Sequence, residues 1–193
     1  MKYIDDFVKA LNMVEITPKA SNVKMRYEEG FEELFQLLSD AKKKRKAIFI
    51  CGNGGSAGIA VHMTADFLKN GGLKTHCLYN PATLTCLGND LNYTHVFDKQ
   101  LELMACEGDF LIAISSSGKS NNIVNAIETM QNLNGKVITF TGFEENNPVR
   151  QMGDYNVYVP ILHYGIVESI HTLILQHLVD EIIDRDGIAL KME

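Results

Sequence analysis

The sequence predicts an open, doubly wound α/β sheet of five parallel strands, with two helices ahead of the first strand. Three observations predict it. Short apolar runs rich in β-branched residues alternate with segments of helical period. The runs lack polar alternation, as strands covered on both faces do. Two of them end in clusters of Gly or Ser that lead directly into a helix. With 193 residues, 46% hydrophobic and 22% charged, the chain can bury a substantial core, and wholesale disorder is excluded.

Taken in order, Ile4 to Val14 and Ser21 to Lys44 read as the two leading helices. The charge run Lys42-Lys43-Lys44-Arg45 closes the second, where a helix C-terminus favours cations. Ala47 to Cys51 is a continuous apolar strand that ends in Gly52-Asn53-Gly54-Gly55. Ser56 to Leu68 carries Ile59, Met63 and Phe67 at four-residue steps, a helical stripe. Thr75 to Tyr79 is a weaker strand, and Phe110 to Ile114 a strong one ending in serines. Asn121 to Leu133 places Ile123, Ile127 and Met130 on one helical face. Lys136 to Thr141 and Tyr155 to Val159 are the last strands, and Val167 to Ile183 is a closing amphipathic helix. No repeat or linker divides residues 1–193, so one domain is expected.

The balance of 18 basic against 24 acidic residues, a net charge of −6, argues against a chain-wide grip on nucleic acid. Met1 to Ile16 contains Asp5, Asp6 and Lys9 and does not read as a signal peptide. No apolar stretch approaches the length that spans a bilayer. Cys51, Cys77, Cys86 and Cys106 lack CxxC spacing and read as buried free thiols. A cytoplasmic protein, without membrane or nucleic acid as partner, is expected.

In doubly wound sheets ligands sit outside the carboxyl ends of the strands. Two junctions there carry chemistry. In Cys51-Gly52-Asn53-Gly54-Gly55-Ser56, the glycines permit close backbone approach and Ser56 is placed to cap the helix. The spacing fits neither the dinucleotide fingerprint, since Ala57 occupies the third Gly position, nor a Walker loop. At the second junction, Ser115, Ser116, Ser117 and Ser120 surround Gly118 and Lys119 and lead into a helix N-terminus. Those four hydroxyls form a neutral cradle for a phosphate. One serine cap would serve the helix alone; four exceed that need. A phosphorylated small molecule is therefore expected, with Asn53, Gly54, Gly55 and Ser56 covering the rest of it.

These loops, with Gly88-Asn89-Asp90 and Phe97 between them and His62, Glu168 and His171 around them, resemble the sugar isomerase (SIS) domain family. The resemblance is to its phosphoheptose isomerase type and covers nearly the whole chain. It implies a flavodoxin-like SIS fold whose leading helices, residues 1–45, serve oligomerisation. It also implies a homotetramer, in which the last helix of one subunit completes a site on another. The activity implied is aldose–ketose isomerisation of sedoheptulose 7-phosphate through an enediol. That reaction would supply heptose for lipopolysaccharide or capsule. Asn89 and Asp90, which taken alone suit a turn, would contact sugar hydroxyls.

Such chemistry needs a base and a group that polarises the carbonyl. His62 and Asp66, four residues apart, share one helix face, as nearly do Glu168 and Gln176, eight apart. In phosphoheptose isomerases the corresponding positions hold His, Glu, Gln and His, which bind zinc, and that Glu and the last His are the base and acid. Here Asp66, Glu168 and Gln176 depart from that pattern, and the family's arginine beyond the first carboxylate is absent from Lys69-Asn70-Gly71-Gly72. The resemblance still implies a divalent metal, zinc by preference, on His62, Asp66, Glu168 and Gln176. Asp66 or Glu168 would be the base, and His171, which lies three residues from Glu168 and so near it on the helix, the second proton carrier. His177 should point elsewhere, and His163 could reach the ligand from its loop. Two other readings compete: an isomerase of changed sugar-phosphate specificity, and a non-catalytic sugar-phosphate or replication-initiator-associating binder.

Overall fold

The computed structural model describes residues 1–19, 21 and 23–190. Its strands are β1 (Glu15–Pro18), β2 (Ala47–Gly52), β3 (Lys74–Cys77), β4 (Phe110–Ser115), β5 (Lys136–Gly142) and β6 (Tyr155–Val159). The helices are α1 (Lys2–Asn12), α2 (Tyr27–Lys43), α3 (Gly55–Lys69), α4 (Pro81–Asp90), α5 (Asp98–Met104), α6 (Asn121–Asn132) and α7 (Tyr164–Asp186). Short 3-10 turns lie at Tyr93–His95 and Pro148–Gln151.

The sheet order is β1-β6-β5-β4-β2-β3. Five strands are parallel, as expected, and a sixth, β1, pairs antiparallel with β6 at the edge. The sequence reading missed β1 because four residues ending in Pro18 carry little strand signal. At an edge a proline is tolerated, since no neighbour needs its missing N–H. A further bridge between Ile16 and Met25 keeps the chain extended, so α2 starts at Tyr27 rather than at Ser21. Part of that predicted start, Asn22, lies outside the described residues. No helix links β5 to β6; the turn at Pro148–Gln151 does so instead.

Side chains along each parallel strand alternate between two cores, as the period of two demands. Ile48, Ile50, Ile112, Ile114 and Phe140 face α2, α3 and α7, meeting Leu34, Met63, Phe67 and Ile174. Ala47, Phe49, Cys51, Leu111 and Val137 face the other way, onto Leu101, Ile123, Ile127 and Met130 of α5 and α6. The runs Ala47 to Cys51 and Phe110 to Ile114 are thus apolar throughout, which is why alternation is invisible there in the sequence. Of the four cysteines only Cys51 is buried; Cys77 ends β3, Cys106 follows α5, and Cys86 sits on α4, which buries no residue, so these three are exposed. No helix among the described residues is long and apolar enough to cross a membrane.

Candidate active site

The chain leaves β2 for β3 on one side and returns to β4 on the other, so the strand order reverses between β2 and β4. Their carboxyl ends lie side by side, with Gly52 in register with Ile114. Ligand clefts form at such reversals. A cavity of about 370 Å³ opens here, lined by Asn53, Gly54, Gly55, Ser56, Ser115, Ser116, Ser117, Ser120, Tyr164 and Glu168. Every lining residue except Tyr164 was singled out from the sequence.

The first loop is held by its backbone. Gly54 precedes α3 with φ of +57°, a region in which a side chain is strained. Beneath it, the Tyr79 hydroxyl accepts from Gly52 N at 2.6 Å and donates to Gly52 O at 2.7 Å. Ser56 was expected to cap α3. It lies instead inside the first turn, 97% buried by its 3% exposure, while Gly54 takes the cap position without a side-chain bond.

The second loop turns at Gly118, whose φ is +63° and whose missing Cβ makes room for the Asn147 side chain. Ser120 stands at the cap of α6, yet its side chain makes no capping bond. Ser116 Oγ is buried and has no partner among the described residues. A buried hydroxyl without a partner costs free energy, and an anion's oxygens would satisfy both of these groups. Lys119 is drawn away from the cradle by an ion pair with Glu144 at 2.6 Å.

The opposite wall comes from the start of α7. Tyr164, whose ring packs edge-on against Phe143 with centroids 4.6 Å apart, is the residue that sequence reading missed. Its position just past the carboxyl end of β6 was the available signal. One turn later Glu168 lies over the first loop: a Cβ at Gly55 would stand 2.6 Å from Glu168 Oε1 and closer still to the other oxygen. Partial burial alone lifts the Glu168 carboxyl above its ordinary range. That is the direction a proton-abstracting carboxylate requires.

His171 is not brought to this cavity. Three residues on from Glu168 it is rotated by about 300°, which puts it on the stripe of α7 that faces the sheet. It is fully buried, its Nε2 donates to the Thr141 carbonyl at 3.1 Å, and its ring packs edge-on to Phe140. Burial drives its pKa down to about 4, so it is neutral and sealed from any ligand. The expectation that His171 carries a proton is corrected accordingly.

Two turns further along α7, Gln176 meets His62 and Asp66 of α3. Gln176 Nε2 donates to Asp66 Oδ2 at 2.7 Å and lies 3.0 Å from His62 Nε2, and those two ligand atoms are 3.2 Å apart. An imidazole, a carboxylate and an amide therefore meet at one point. Rotating the amide would add an oxygen there, giving three donors with a fourth position open, a set that suits a catalytic divalent ion. Glu168 is not among them; its carboxylate lies against Gly55. Among the described residues no three His, Cys, Asp or Glu side chains form a metal-binding group, since the third donor here is an amide.

Other candidates are placed elsewhere. Asn89 and Asp90 end α4, which buries no residue in this chain, and they bond to each other at 2.8 Å rather than lining the cavity. The His163 ring lies edge-on to Tyr3. His177 stacks on Phe31 and meets the Tyr27 hydroxyl at 3.1 Å, turned away from Gln176 as expected.

A reversal-point cavity with a hydroxyl cradle and a lone carboxylate suits a phosphorylated small molecule that is to lose a proton. Residues 13–142 match the family described as the SIS domain. The chain belongs to that family and, within it, to the phosphoheptose isomerases. A phosphoheptose isomerase of Aliarcobacter butzleri is 34% identical over 167 residues, which is 82% of this chain and 86% of that protein. One from Clostridium acetobutylicum is 30% identical, over 87% of this chain and 88% of its own. The solved phosphoheptose isomerase of Francisella tularensis superposes with a TM-score of 0.81 at 28% identity, covering 95% of each chain.

Proposed function

We propose that the protein isomerises sedoheptulose 7-phosphate to the corresponding aldose phosphate. The observation that carries this reading is a single cavity lined by Ser115, Ser116, Ser117 and Ser120 and by Glu168, a carboxylate raised by burial. Ser115, Ser116, Ser117 and Ser120, with the N–H groups at the start of α6, would hold the phosphate. Asn53, Gly54, Gly55 and Ser56 would frame the open carbon chain. Glu168 would take a proton from C1 as the C2 carbonyl becomes an enediolate, and the enediol would regain a proton at C2. The ketone is thereby reduced and the C1 alcohol oxidised within one molecule, with no outside electron donor.

His62, Asp66 and Gln176 are the residues that would hold a divalent ion, zinc by preference. When bound, it would supply Lewis acidity toward the carbonyl and hydroxyl oxygens. Asn89 and Asp90 have no ligand-facing neighbour in one chain. Their role as contacts to sugar hydroxyls is proposed together with a homotetramer that brings the bare α4 to a neighbouring subunit. We place the enzyme in the cytoplasm, where sugar phosphates are retained.

Incubation with sedoheptulose 7-phosphate in D2O, followed by NMR, tests the activity. An aldose phosphate with deuterium at C2 is expected. Absence of both product and exchange would overturn the proposal.

A further inference from the structure

Asn53 sits in the loop after β2, and Asn122 lies in the first turn of α6, directly behind the serine cradle. Their side chains face each other. Asn53 Nδ2 donates to Asn122 Oδ1 at 2.9 Å, and Asn122 Nδ2 donates back to Asn53 Oδ1 at 3.0 Å. In that closed ring each amide fixes the orientation of the other. Tyr93 adds a third bond, its hydroxyl donating to the same Asn53 Oδ1 at 3.1 Å. Both lone pairs of that oxygen are then used, and it has none left for a ligand.

The segment that delivers Tyr93 is held under strain. Asn92 has φ 137° and ψ 152°, a region that glycine alone occupies at ease. Its own Oδ1 accepts from Thr94 N at 2.8 Å and from Thr94 Oγ1 at 2.9 Å. Asn125 Nδ2 of α6 donates to Thr94 O at 2.9 Å, and His95 Nδ1 pairs with the buried Asp98 at 2.8 Å. So many fixings serve a turn whose ring, Tyr93, is 61% exposed. They anchor a turn that runs on into the buried Val96 and Phe97 and that holds the Tyr93 hydroxyl on Asn53.

We propose that Asn122 and Tyr93 are positioning residues: they clasp the Asn53 carboxamide and hold the glycine loop in register with the phosphate cradle. The inference rests on the isomerase reading of the cavity. The cradle would fix one end of the substrate, while the glycine loop, against which Glu168 lies, sets where the carbons meet the base. Loosening the clasp leaves the phosphate subsite intact and misplaces the reacting end.

The test compares wild type, Tyr93→Phe, Asn122→Ala and the double variant. It measures kcat and KM for sedoheptulose 7-phosphate, inorganic phosphate binding by calorimetry, and melting temperature. Tyr93→Phe, at an exposed ring, should keep the fold and lower kcat about 3- to 10-fold. Asn122→Ala should lower kcat about 100-fold, the effect of misplacing a reacting atom by an ångström. Phosphate affinity should stay within about twofold of wild type in both. The double variant should be no worse than Asn122→Ala, because both act through Asn53. Unchanged kcat in both single variants, or losses that multiply and follow melting temperature, would overturn the clasp. If wild type does not isomerise, the isomerase reading fails by itself. The clasp is then read from binding: weaker sedoheptulose 7-phosphate affinity at constant phosphate affinity supports it, and unchanged affinity overturns it.

Discussion

The two halves of the cavity are built by different means. On the strand-end side, glycines, backbone N–H groups and serine hydroxyls do the positioning, and no charged side chain lines that half. On the helix side Glu168 lines the cavity, and the cluster of Gln176 with His62 and Asp66, two turns on and outside that lining, depends likewise on where α3 and α7 pack. A neutral cradle can bind an anion whatever the chemistry beside it. The helix side is sensitive to side-chain length and rotation, as the divergent fates of Glu168 and His171, three residues apart, demonstrate.

The sharpest way to separate the halves is Glu168→Gln. The amide keeps the shape but accepts no proton, so kcat should fall by about 10²- to 10⁴-fold, while inorganic phosphate still binds. Because burial raises the carboxyl of Glu168, wild-type kcat/KM should decline as pH falls through that raised value, where the base becomes protonated. The variant should lack this limb in a pH–rate profile. Equal loss of phosphate binding and turnover would mean that the halves are one unit.

Gly55→Ala probes the point where they touch. The new methyl would overlap the Glu168 carboxylate, which is the mobile end of a flexible side chain. The fold should therefore survive with a melting temperature close to wild type, while the displaced base costs about 100-fold in kcat. A large fall in melting temperature with kcat preserved would show that Glu168 is only a packing neighbour of the loop.

Asp66→Asn acts farther from the carbon chain. With one anionic donor lost, zinc affinity measured by calorimetry should drop by about 10- to 100-fold. Phosphate binding should not change. Equal zinc affinity in both proteins would remove the convergence of His62, Asp66 and Gln176 as a metal site.

The strand-end half was legible in the sequence because its signal is local. A run such as Phe110 to Ile114 followed by four serines states the strand, the turn and the helix start within eleven residues. The class of sheet was legible for the same reason, in strands apolar on both faces. What escaped were features set by tertiary contact. The edge strand Glu15–Pro18 exists only because β6 offers a partner, and Tyr93 reaches Asn53 only through a strained Asn92. Rotation about α7 was partly legible: it excluded His177 correctly. For His171 the three-residue spacing from Glu168 was read as proximity, although the intervening 60° offset turns the ring into the core.

That ring leads to the smallest effect on activity and a definite one on stability. His171 is held neutral in the folded chain, its pKa about 4 against about 6.5 when unfolded. Between these values the unfolded chain binds a proton that the folded chain refuses, so stability falls as pH drops from 6.5 toward 4. The full loss corresponds to about 3 kcal/mol. His171→Gln, which can still donate to Thr141 O, should flatten that part of a denaturation-versus-pH curve and leave kcat within about threefold at pH 7.5, where both forms are neutral. A collapse of kcat in this variant with the pH dependence of stability unaltered would restore His171 to the chemistry and contradict its burial.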